Sequence, residues 1–244
     1  MDYAFMEDGF VDTSSGKLHY KRHRSDGKKM LFIHGFGANT RSFERLAGLL
    51  PDDMDICLID LLGHGKSDAP HIEYSIELHA KLVMEFVEKE ALQDAYLFGH
   101  SYGGWIAASI AQGNFEGSGL VLEDAAGLKE IYDPVIREHR VEEYKDSLIK
   151  EALIYDPREY VLRSMADSVR EGSLLTRESL SSITKPTLIM WGSEDKTIDV
   201  KYADVWADHV RGSVLEIIPG AEHVAHYTHA GTVADLLLRF IRAE

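Results

Sequence analysis

The stretch Phe98-Gly99-His100-Ser101-Tyr102-Gly103-Gly104 constrains the fold more than any other part of the chain. An apolar run ends just before it and an alanine-rich run begins just after it. Read as a strand passing directly into a helix, it leaves almost no residues for the turn. So tight a turn forces its central residue into a strained backbone, and side chains two positions before and after must be very small. Gly99 and Gly103 meet that demand around Ser101, and Gly104 lets the new helix pack closely. The turn lifts the serine hydroxyl clear of the strand, and the N–H groups of the helix start face the space above it.

The flanking sequence repeats the same rhythm. Strand-like runs fall at 9–12, 17–22, 29–34, 55–60, 95–99, 119–123, 187–191 and 213–218, the first two forming a hairpin around Ser14-Ser15-Gly16. Helical spacing recurs at 41–50, 75–90, 102–112, 201–209 and 230–242, and Ser75 is a natural N-cap. Strands alternating with helices predict a mostly parallel eight-stranded sheet covered on both faces. Between 125 and 182 the strands stop. Val135, Ile136, Tyr144, Leu148, Ala152 and Leu153 suggest one long helix there, and Tyr160, Val161, Met165 and Val169 a second. We therefore expect a core of 1–124 and 183–244 and a helical cap at 125–182, inserted at the sheet edge where such folds bind ligands.

Bulk properties exclude several classes. The formal charge of −15, from 26 basic and 41 acidic residues, repels phosphate backbones and anionic lipid. Nucleic acid is not an expected partner, and the basic stretch Lys21-Arg22-His23-Arg24 reads as a hairpin end offset by its surroundings. No apolar run reaches membrane-spanning length, so membrane insertion is not expected either. The acidic first residues lack a basic region followed by an apolar one, which predicts a cytoplasmic protein acting on a small molecule. The single cysteine, Cys57, lies in an apolar run and reads as a small buried hydrophobe.

A serine hydroxyl is a poor nucleophile near neutral pH and needs a base, which in turn needs an orienting carboxylate. Suitable residues follow the two last strands: Trp191-Gly192-Ser193-Glu194-Asp195, and Ile218-Pro219-Gly220-Ala221-Glu222-His223. From Leu31 to about Ala230 the chain resembles the α/β-hydrolase fold superfamily, in particular its serine carboxylesterase-like members with a small cap. The resemblance rests on His34-Gly35-Phe36-Gly37, on Asp60-Leu61-Leu62-Gly63-His64-Gly65-Lys66-Ser67, on the serine turn and on the two late loops. Relatives often carry proline at the second leucine of the Asp60 loop, which bears on loop rigidity.

The resemblance implies Ser101 as nucleophile, His223 as base and Asp195 as the acid, with Glu194 and Asp199 as competitors for the acid. His226 and His229 follow His223 at three-residue spacing, a pattern compatible with a metal face, but no carboxylate or cysteine cluster accompanies it in the sequence, and no metal or organic cofactor is expected. The implied oxyanion hole consists of the backbone N–H groups of Phe36 and Tyr102. His100 is expected to point away from the base; His34 and His64 are expected to be structural. The implied reaction is hydrolysis of a carboxylic ester through an acyl-enzyme, under a roof carrying Tyr132, Tyr144, Tyr155, Tyr160, Leu148, Leu153 and Met165. Three alternatives stay open: a carbon–carbon bond hydrolase, a proline iminopeptidase-like enzyme using Glu138, Glu142 or Glu143 to bind an amine, and a non-catalytic ligand receptor. The peptidase reading lacks the His-Gly-Gly-Pro-Gly run such enzymes carry.

Overall fold

The computed structural model describes residues 6–113, 115–167, 169 and 172–243. Residues 1–5, 114, 168, 170, 171 and 244, which the expected core and cap ranges include, lie outside the described residues. The strands are β1 (Glu7–Thr13), β2 (Gly16–His23), β3 (Lys29–Ile33), β4 (Asp55–Ile59), β5 (Tyr96–His100), β6 (Gly119–Glu123), β7 (Thr187–Gly192) and β8 (Val214–Ile218). They form one sheet in the order β1-β2-β4-β3-β5-β6-β7-β8. The β1–β2 and β2–β4 pairs are antiparallel, and every pair from β4 to β8 is parallel.

The continuous apolar strands of the sequence are explained by burial on both faces. Successive side chains of a strand point to opposite faces, so each strand feeds two cores. Leu31 and Ile33 of β3, Leu97 of β5 and Ile189 of β7 join one cluster, while Met30, Phe32, Phe98, Leu188 and Met190 join the other. The first cluster is covered by α2 (Ile76–Lys89), α3 (Tyr102–Ala111) and α8 (Lys201–His209), through Phe86, Trp105, Ile106 and Trp206. The second is covered by α1 (Glu44–Ala47), preceded by a 3-10 turn at Thr40–Phe43, by the short α9 (Ala225–Thr228) and by α10 (Ala230–Ala243). Ser75 caps α2 by accepting from the Leu78 N–H.

The segment between β6 and β7 folds as α4 (Lys129–Arg137), α5 (Val141–Ala152), α6 (Glu159–Ala166) and α7 (Arg177–Leu180). The single long helix expected across Val135–Leu153 is therefore two. His139 adopts a left-handed backbone at φ 55°, and the Arg140 N–H turns back to the Val135 carbonyl. Helical spacing on both sides of this reversal reads as one pattern, because the apolar face continues across it. Leu128, Tyr132, Val161, Met165 and Leu175 of the segment belong to the same core cluster as the sheet. A smaller cluster of Ile149, Ala152, Leu162 and Ala166 packs against Phe36.

Two polar devices hold the sheet's first half. The Arg22 guanidinium bonds both Asp55 oxygens at 2.7 Å and also reaches Glu90, so the basic stretch is neutralised inside the fold. Asp60 accepts from the Thr40 and Lys66 N–H groups and from His19 Nδ1–H. Burial opposes ionisation of Asp60, but the His19 bond, the field of His34 and the two backbone bonds outweigh it and lower its pKa to about 2. Cys57 is fully buried in β4. No helix among the described residues is long and apolar enough to cross a membrane.

Candidate active site

Ser101, Asp195 and His223 occupy loops that follow β5, β7 and β8. Because these strands lie parallel and side by side with β6, their carboxyl ends open at one sheet edge. Residues far apart in sequence are thereby brought within contact of one another.

Ser101 has φ 52° and ψ −114°, a strained conformation for a residue with a side chain. It is locked by three backbone bonds: its N–H to the Glu123 carbonyl at 2.9 Å, and its carbonyl from Trp105 and Ala126 N–H at 3.1 and 3.0 Å. A Cβ at Gly99 would overlap the Gly103 carbonyl, and one at Gly103 would overlap the Ile33 carbonyl. Neither position has space for a side chain.

His223 Nε2 stands 3.0 Å from Ser101 Oγ, across 122 residues of sequence. Its Nδ1–H donates to Asp195 Oδ2 at 2.7 Å. That bond fixes the tautomer, leaving Nε2 unprotonated to accept from the serine hydroxyl. Asp195 also accepts from the Thr197 and Ile198 N–H groups at 2.7 and 2.9 Å, so its carboxylate is held by three donors. The competitors for the acid lie elsewhere: Glu194 is exposed, and Asp199 accepts from the Lys201 N–H at 3.0 Å on the surface.

The other histidines separate clearly. His226 is buried and donates through Nδ1–H to Glu123 Oε2 at 2.6 Å, while His229 lies beside Thr228, so the 223–226–229 spacing makes no common face. His34 Nδ1–H donates to the Gly35 carbonyl and its Nε2 accepts from the Leu61 N–H. His64 approaches the Leu62 carbonyl. Burial depresses both pKa values, that of His64 strongly. His79, missed in the sequence, donates to the Leu62 carbonyl and accepts from the Tyr102 hydroxyl at 3.2 Å; burial lowers its pKa to about 4.

One expectation is overturned. His100 does not point away from the base: its Nε2–H donates to the His223 carbonyl at 2.7 Å, and the two rings lie 4.9 Å apart. The turn at Ser101 rotates the serine above the sheet edge, which leaves the last β5 side chain directed at the β8 loop.

Phe36 lies in the turn after β3, and Tyr102 is the first residue of α3, at the helix end whose N–H groups face outward. Their rings meet edge-on at 6.3 Å. Both line a cavity of about 40 Å³ above Ser101, together with Trp105, Tyr132, Tyr144, Leu148, Met165, Val169 and Ile198. Of the expected roof residues, Tyr132, Tyr144, Leu148 and Met165 reach this cavity. Tyr155 is exposed, Leu153 packs on the small cluster beside Phe36, and the Tyr160 hydroxyl donates to the Ala69 carbonyl. Glu138, Glu142 and Glu143 are exposed and paired with Arg140 and Lys145 outside it.

The family model described as "Alpha/beta hydrolase family" matches residues 30–236. The chain belongs to the alpha/beta hydrolase family. Within it, the chain is 25% identical to monoacylglycerol lipase abhd6-A of Xenopus laevis, over 97% of this chain and 82% of that protein. It is 26% identical to the 2-hydroxy-6-oxo-6-(2'-aminophenyl)hexa-2,4-dienoic acid hydrolase of Metapseudomonas resinovorans, over 88% of this chain and 84% of that one. The solved esterase EaEST from Exiguobacterium antarcticum superimposes with a TM-score of 0.80 at 23% identity, covering 97% of this chain and all of that one, and shows the same fold.

Proposed function

We propose that this hydrolase cleaves carboxylic esters of short, neutral acyl groups through an acyl-enzyme on Ser101. The observation that carries this reading is the continuous hydrogen-bond relay from Ser101 Oγ through His223 to Asp195. His223 Nε2 takes the Ser101 proton as Oγ bonds to the ester carbonyl carbon. The carbonyl oxygen becomes an oxyanion, held by the Phe36 and Tyr102 N–H groups. As it collapses, the alcohol C–O bond breaks and His223 protonates the departing oxygen. Water then gives its proton to His223 and attacks the acyl carbon, and Ser101 leaves with that proton. Asp195 orients the imidazole and stabilises its charged form throughout.

The cavity argues for the substrate. A buried water needs roughly 10–15 Å³ by the same measure. A cavity of about 40 Å³ thus has room for roughly three to four water-sized groups, which favours an acyl group as short as acetyl. The segment 125–182 acts as its roof through Tyr132, Tyr144, Leu148 and Met165. None of the lining residues is charged. The dienoic acid in the name of the Metapseudomonas relative carries a carboxylate, which a cavity with no charged lining residue would desolvate at a cost. An ester therefore fits the lining better than such an acid, and the lipase relative, named for a glycerol ester, is in keeping with it. An amine-binding peptidase site has no support from Glu138, Glu142 and Glu143, which pair with Arg140 and Lys145 outside the cavity.

Turnover of p-nitrophenyl esters of graded acyl length tests the reading. Acetate to butyrate should turn over continuously, and octanoate poorly. Ser101→Ala should lose at least about 10⁴-fold in kcat. A ligand receptor would give a single slow burst at most, and full turnover by Ser101→Ala would end the proposal.

A further inference from the structure

Directly beneath the relay lies a carboxyl group that the proposed cycle does not use. Asp124 follows β6, between the loops carrying Ser101 and Asp195, and holds a left-handed backbone at φ 46°. Its residue surface is fully buried. Its Oδ1 accepts from the Gly192 N–H at 2.9 Å, while its buried Oδ2 meets no N–H or O–H donor among the described residues. The Asp195 carboxyl group, on the neighbouring loop, lies close enough to act on Asp124 through its field and a side-chain hydrogen bond. An Asp124 oxygen also lies within 4.8 Å of a ring nitrogen of His223 and of one of His100.

The geometry points to Asp124 as a positioning residue: an un-ionised carboxylic acid that donates its proton to Asp195 and holds that carboxylate under His223. Two carboxylates in contact cannot both be charged in a buried site, so the pair keeps one proton. The donors decide which member keeps it. Asp195 receives three N–H bonds, from Thr197, Ile198 and His223, whereas Asp124 receives one. The better-solvated group carries the charge and the other retains the proton. The remaining groups around Asp124 act in the same sense. Burial first, then the fields of Glu123 on β6 and of Asp195, push its pKa up, against the single Gly192 bond. Glu123 is itself bound to His226, and the His100 Nε2–H is spent on the His223 carbonyl, so neither imidazole supplies Asp124 with a donated hydrogen bond. The strained backbone at Asp124 is the cost of bringing this acid to the sheet edge.

The catalytic consequence rests on the hydrolase reading above, but the protonation state does not, and one pair of measurements separates them. Infrared difference spectra of wild type against Asp124→Asn at pH 7 should show the carbonyl stretch of an un-ionised carboxylic acid, shifted in D₂O and absent from the variant. Asparagine keeps a neutral side chain that accepts from Gly192 and donates to Asp195, so its kcat on p-nitrophenyl acetate should stay within about threefold of wild type. Asp124→Ala, lacking the donor, should lose tenfold or more in kcat with KM held. Should Asp124→Asn fail to fold, ¹³C labelling of aspartate side chains in wild type reads the same un-ionised group. No un-ionised aspartate at pH 7 would overturn the inference, as would an Asp124→Asn loss as large as that of Asp195→Asn. An un-ionised Asp124 in a protein without turnover would instead count against the hydrolase reading alone.

Discussion

Asp195 Oδ2 accepts from His223 Nδ1–H at 2.7 Å, with the Asp195 side chain wholly removed from solvent. This bond sets the tautomer that leaves Nε2 facing Ser101. Asp195→Asn keeps an acceptor for the Thr197 and Ile198 N–H groups but can present an amide N–H to His223, which favours the other tautomer. We expect kcat to fall by about 10³–10⁴-fold with little change in the urea unfolding midpoint. A variant retaining a tenth of wild-type turnover would show that the carboxylate is dispensable.

On the proposed reading, the cavity wall limits acyl length. Leu148 stands half-buried on α5 with its side chain against the cavity. Leu148→Ala removes three carbons from that wall. Each additional buried methylene of the substrate then gains about 0.8 kcal/mol, roughly fourfold in kcat/KM. The hexanoate-to-acetate ratio should rise by about tenfold or more. An unchanged ratio would place the acyl group elsewhere.

Gly103 is packed against the backbone of β3, where a Cβ would strike the Ile33 and His34 carbonyls. Neither is a flexible side chain, so relief requires α3 to move off the sheet. Gly103→Ala should destabilise by about 2 kcal/mol or more despite the higher helix propensity of alanine, as read from urea denaturation. A stabilised variant would mean that the turn is looser than described.

Acid should unfold the protein through its buried imidazoles. Burial lowers the pKa values of His34, His64, His79 and His100, that of His79 to about 4. In the unfolded chain these groups titrate near 6.5. Between that value and about 4 the unfolded state binds the protons that the folded state refuses. The stability they leave intact above pH 6.5 is therefore lost as pH falls toward 4. At pH 5.5 His79 alone costs about 1.4 kcal/mol. Tm should drop by several degrees from pH 7.5 to 5.5, and a flat profile would mean that the folded protein accepts these protons.

Much of this arrangement was legible because each piece is local. The central strands show as apolar runs and the first two as a hairpin around a turn, the glycines around Ser101 announce the tight turn, and Asp195 and His223 each follow a strand end by a few residues. What was not legible depends on lateral neighbours. The direction of His100 follows from the rotation of the elbow, which spacing does not reveal. The break at His139 hides inside a continuous apolar face. Asp124 meets Asp195 only because β6 and β7 are adjacent, although the consecutive acids Glu123-Asp124 at the end of an apolar strand were a signal in plain sight. The roof aromatics looked equivalent in sequence, yet Tyr132 and Tyr144 face the cavity while Tyr155 faces solvent.

In the proposed cycle His223 activates Ser101. Labelling with a fluorophosphonate probe, followed by mass mapping of the adduct, tests it most directly. One adduct is expected, on Ser101, absent from Ser101→Ala and formed at least about 10³-fold more slowly in His223→Ala. An adduct on another residue, or equal labelling rates with and without the His223 imidazole, would contradict it.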